Sequence, residues 1–168
     1  MPAPLIETLA AAAKPWNALY AHSRVVSSGV TFVHVGSLLV GGGLAVASDR
    51  AVLRARAADA EERRRLLRDF ASVHGPVVVA LVLMTVSGAA MALADVETFF
   101  ASPLFWTKMA IFVALLANGL FVMRTERALA ADPAPVNPLL WRRLGAGAVT
   151  SLALWITTTF VGVVLTGM

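Results

Sequence analysis

Residues 25–47 read VVSSGVTFVHVGSLLVGGGLAVA: a run free of Asp, Glu, Lys and Arg, with His34 as its one ionisable side chain. At about 1.5 Å of rise per residue, a helix of that length crosses a hydrocarbon core of about 30 Å. Three more runs of the same kind follow, at 70–94, 104–123 and 144–167. Strands do not fit, because membrane-barrel strands are far shorter and alternate in polarity. The expected fold is therefore all-α: an integral membrane bundle of four spans at about 25–47, 70–94, 104–123 and 144–167.

Composition agrees. Of 168 residues, 58% are hydrophobic and 14% charged, with a mean hydropathy of +0.77. Average soluble domains carry roughly a quarter charged residues, so this chain lacks the polar surface to cover itself in water. The isoelectric point near 10.7 and net charge of +4 come from arginines gathered between the apolar runs. Membrane orientation explains such clusters better than nucleic-acid binding does. With no cysteine, disulfides, thiolate metal sites, Cys-ligated iron–sulfur clusters and covalent c-type haem are excluded.

The arginines set the expected orientation. Arg50, Arg54, Arg56, Arg63, Arg64, Arg65 and Arg68 lie between the first two runs, and Arg124, Arg127, Arg142 and Arg143 between the last two. The opposite flanks offer Lys14 and Arg24, and the 95–103 loop has no basic residue. Both arginine-rich loops are thus expected in the cytoplasm of a bacterial-type inner membrane, with both termini outside.

Residues 1–23 are expected to form an interfacial segment ahead of a 24–168 transmembrane domain. Leu5, Leu9, Ala12, Trp16 and Leu19 recur at helical spacing, and Trp16 and Tyr20 suit the headgroup zone. Pro15 is expected to split this stretch into two short helices. It lacks a basic n-region followed by a long apolar core, so it does not read as a cleavable signal peptide. Residues 57–68 read as a charged, solvated helical extension, and the Pro-rich 133–138 piece as a stiff linker.

Ionisable groups inside hydrocarbon are costly and mark candidate sites. His34 shares the small, polar stripe Ser27, Thr31, His34, Ser37 and Gly41, which should face the bundle interior. Its imidazole suits an axial haem position; the plainer reading is a histidine bonded to a neighbouring helix. His74 sits near the start of the second span, on a face continuing through Val78, Leu81, Thr85 and Gly88. The two histidines are expected about 12 Å apart in depth, too far to share one metal, so each is a separate metal candidate. Lys108, one turn inside the third span, either snorkels to the headgroups or holds an anion such as a haem propionate. Asn118, deeper on the same helix, needs a partner and is a further cofactor-binding candidate. Met84, Met91, Met109 and Met123 read as packing.

Phe32-Val33-His34-Val35-Gly36 followed by Gly41-Gly42-Gly43 resembles the first helix of copper-resistance D-type domains and HemJ-type protoporphyrinogen oxidases. Pro76 with Thr85 and Gly88 is similar to their second helix, and Phe105-Trp106-Thr107-Lys108 with Asn118 to their third. The resemblance covers roughly residues 30–125. It implies bound haem b and a functional pair at His34 and Lys108. The chain departs from the oxidases at Leu38-Leu39-Val40, where they carry aromatic residues, and at Ala117-Asn118.

The leading expectation is a membrane b-type haem protein serving electron transfer or a haem-linked oxidoreduction, with a quinone or periplasmic redox partner and no nucleic acid. A copper or small-solute transport domain is the second reading. A structural subunit of a larger membrane complex, or of a homo-oligomer, is the third.

Overall fold

The computed structural model describes residues 3–131 and 137–167. Among these, α1 runs over Ala3–His22, α2 over Arg24–Ala55, α3 over Ala60–Ala94, α4 over Val96–Ala101, α5 over Pro103–Ala130 and α6 over Pro138–Thr166. No strand occurs among the described residues. Four helices, α2, α3, α5 and α6, are long and apolar enough to cross a membrane. Most of the 133–138 linker lies outside the described residues.

Helices α2, α3 and α6 each begin where a side chain replaces a missing intrahelical partner. Ser23 accepts from the Val26 amide at 3.3 Å, Asp59 from Glu62 at 2.8 Å, and Asn137 from Leu139 and Leu140 at 3.0 and 3.3 Å. Pro103 and Pro138 open α5 and α6, where a missing N–H costs nothing. The four long helices alternate in direction. One end of the bundle gathers α1, α4 and the last turns of α6; the other gathers the α2–α3 connection, the last turns of α5 and the first turns of α6, where the arginines lie. Helix α2 packs between α3 and α6, α6 also packs on α5, and α3 and α5 meet more sparingly.

The bundle is apolar on the outside as well as within. Phe32 is 76% exposed, Leu39 70%, Ile156 68% and Phe160 67%. In water such a surface would drive aggregation; against lipid tails it is the solvated face. The lipid bilayer is the partner this surface fits.

Two apolar clusters hold the interior. Val52, Ala55, Phe70, Leu129, Trp141, Leu144 and Ala148 form one at the arginine-rich end. Met84, Leu115 and Trp155 form another mid-bundle, with Leu38, Ala45 and Phe112 against them. Close approach there depends on glycine. A Cβ at Gly41 would lie 2.9 Å from that of Ala80, and one at Gly42 would lie 3.2 Å from the Trp155 ring.

Two expectations need correction. Pro15 does not split the N-terminal stretch: α1 is continuous through it, since proline removes a donor without obliging the chain to turn. Trp16 and Asn17 tie α1 to the bundle: the Trp16 Nε1–H donates to the Ala90 carbonyl at 2.7 Å, and Asn17 donates to that of Ala94. The 57–68 stretch is not simply solvated. Arg63 donates from Nε to the Ala55 carbonyl at 3.1 Å and from Nη2 to that of Arg56 at 2.9 Å, and its guanidinium lies 5.0 Å over the Trp141 ring. Leu66 and Leu67 pack on the adjoining cluster.

Candidate functional site

His34 is presented by α2 toward α3. Its Nδ1 lies 3.1 Å from the Met84 carbonyl and 3.1 Å from Ser87 Oγ. The Ser87 hydroxyl hydrogen is directed at the Leu83 carbonyl, 2.6 Å away. Both neighbours of Nδ1 are therefore acceptors, which sets the proton on Nδ1 and leaves the Nε2 lone pair free. Nε2 has no hydrogen-bond partner among the described residues. This is the tautomer of a metal-bound imidazole whose other nitrogen is steadied by a carbonyl. Gly88 makes room for the ring: a Cβ there would stand 3.1 Å from His34 Cε1.

Lys108 reaches the same region from α5. It is half-buried, and a Cβ on Gly162 of α6 would meet its Nζ at 3.5 Å and Cε at 3.7 Å. Its charge acts on His34, yet among the described residues it has neither an ion-pair nor a hydrogen-bond partner. One turn before Gly162, Thr158 is 4% exposed and its Oγ1 is likewise without a partner. An open imidazole nitrogen, an unpaired ammonium and an unpaired hydroxyl thus arrive from three helices in one half of the bundle. Such a set can hold an anionic ligand bearing an electron-pair acceptor.

His74 and Asn118 are not part of it. The His34 ring meets α3 at Ser87, thirteen residues beyond His74, about 20 Å along a helix rather than the expected 12 Å. His74 Nε2 lies 2.6 Å from Glu126 Oε2. Asn118 donates from Nδ2 to the Gly147 carbonyl at 3.0 Å, tying α5 to α6. The expected faces need adjusting too. Thr31 and Thr85 are exposed and bond back to the Ser27 and Leu81 carbonyls of their own helices. The inward stripe of α3 runs instead through Phe70, Ala80, Met84 and Ser87.

Sequence reasoning missed a second polar layer, at the arginine-rich end. Asp49 is 6% and Glu126 7% exposed, with Ser151 buried beside them. Both acids lie just past their apolar runs. The signal was present in the spacing. On α2 the inward stripe continues as His34, Ser37, Gly41, Ala45, Asp49 and Val52, and on α5 as Leu115, Asn118, Val122, Glu126 and Leu129. The mid-bundle cluster of Met84, Leu115 and Trp155 separates the two polar layers.

The fold and its surface define a polytopic α-helical membrane protein. Comparison with protein-family models, with curated proteins and with solved structures finds no match for the chain.

Proposed function

We propose that the chain is a membrane-embedded b-type haem protein in which His34 would ligate the iron and Lys108 would pair with a propionate. The observation that carries this reading is the His34 ring, held through Nδ1 with Nε2 open, near a lysine that has no other counter-charge. The donor set fits one imidazole ligand and one propionate contact. It supplies no second imidazole at that depth, so a bis-histidine centre is not part of the proposal. Bound there, haem would supply one-electron chemistry; the chain supplies ligand orientation, counter-charge and a low-dielectric setting. A quinone or a periplasmic protein is the redox partner we assign, with the arginine-rich end in the cytoplasm of a bacterial-type inner membrane.

A copper-handling role gains less from the geometry, because no group of three His, Asp or Glu able to hold a metal ion occurs among the described residues.

The test is the absorption spectrum of protein expressed with excess haem. A Soret band with sharp α and β bands on reduction is the expected outcome. Complete absence of a Soret band would overturn the proposal.

A further inference from the structure

The second polar layer does something the haem reading does not require. Asp49 is 6% exposed, and its Oδ2 is fully enclosed without a hydrogen-bond partner among the described residues. Its neighbours are few. Ser151 of α6 is its hydrogen-bond partner, and Glu126 of α5 is the charged group that acts on it, of like sign. Glu126 is in turn held by His74 of α3 at 2.6 Å. Two arginines at this end are placed elsewhere: Arg63 on the Ala55 and Arg56 carbonyls, and Arg56 against Gly145 of α6.

A bare carboxylate oxygen in such a place has lost its hydration and gained no donor. Two carboxylates sharing a buried region cannot both keep their charge cheaply. Among the described residues no third carboxylate or imidazole joins them closely enough to make a cation cage. One proton relieves both problems. A route for it is also built: the His74 side chain is 37% exposed, while Glu126 behind it is 9% exposed. His74 therefore stands between the arginine-rich surface and the buried acids.

We infer that Asp49 and the Glu126–His74 pair form a proton-exchange site at the arginine-rich end of the bundle, with His74 as its entrance. A proton from hydronium at that surface binds His74 Nδ1, and the Nε2 proton passes to Glu126 Oε2. One proton then serves the two acids, on one or the other, and water remains outside. No other bond is made or broken. The site stands independently of haem.

The experiment uses the full chain in lipid nanodiscs, followed by infrared spectroscopy of the protonated-carboxyl stretch across a pH series, in sodium-free and sodium-containing buffer. In the wild type one component of the band should persist where exposed carboxyl groups, which titrate at about 4, are already ionised, vanish as pH rises further and ignore sodium. Asp49→Asn, close in shape, should remove it. His74→Gln should keep the band and slow its deuterium exchange on the order of a hundredfold. Absence of that persistent component, or its survival unchanged in Asp49→Asn, would overturn the site. Loss of the band on adding sodium at constant pH would also overturn it, in favour of a cation site. Unaltered exchange in His74→Gln would remove His74 as the entrance. Should Asp49→Asn fail to fold, the wild-type pH and sodium series together with the His74→Gln rate still decide.

Discussion

At the scale of single residues, what a polar side chain does here depends on which partner it finds in a medium that offers none. His34 and Asn118 both lie in apolar runs, yet Asn118 is spent on the Gly147 carbonyl while His34 keeps one nitrogen free. Replacing Asn118 by Leu should therefore cost stability alone, about 1 kcal/mol, the usual scale of an interhelical hydrogen bond in a membrane. Thermal unfolding in detergent, with the haem spectrum unchanged, is the check. His34→Ala should behave in the opposite way. It removes the proposed ligand, so the reduced α band should disappear or the spectrum turn high spin while the bundle stays folded. An unaltered spectrum at full haem occupancy would exclude His34 as the ligand. Lys108→Met keeps the length and removes the charge. Haem should remain with an altered reduction potential, measured by redox titration.

Helices meet at places where one atom more would not fit. A Cβ on Gly147 would lie 2.7 Å from Val122 Cγ2 and 3.4 Å from the Phe121 ring, so α6 touches α5 through bare backbone. Gly147→Leu should force these helices apart at a cost on the order of 1–3 kcal/mol, seen as a lower melting temperature. At Gly36 and Gly43 nothing stands within 4 Å of a Cβ, so alanine at either should be nearly silent in the same assay. Helix α1 gives a different kind of prediction. It docks through Trp16 and Asn17 onto the last turns of α3 but adds no crossing. Deleting residues 2–20 should lower thermal stability and leave the protein inserted, as judged by its resistance to carbonate extraction. Failure to insert would show that α1 acts before the bundle forms.

For the molecule as a whole, orientation follows from arginine placement. A reporter fused after Met168 should lie outside the cytoplasm, and one inserted within residues 55–65 inside it. Reversed signals would overturn the assignment and, with it, the side from which the Asp49 layer exchanges protons.

The apolar lengths were enough to determine an all-α, four-span chain, because hydrocarbon thickness and the need to satisfy every backbone polar group leave few alternatives. His34 and Lys108 stood out for a related reason: charge in hydrocarbon is conspicuous in any sequence. Tertiary structure decided the rest. It alone shows that Asn118 is spent on a carbonyl, that His74 is paired with Glu126, and that Trp16 docks on the Ala90 carbonyl. It also shows that Asp49 and Glu126, two and three residues past an apolar run, are buried. A run of hydropathy measures where lipid begins. Burial at the ends of a bundle is measured by which helix stands opposite, and that depends on the rotation and offset of neighbours far away in the chain.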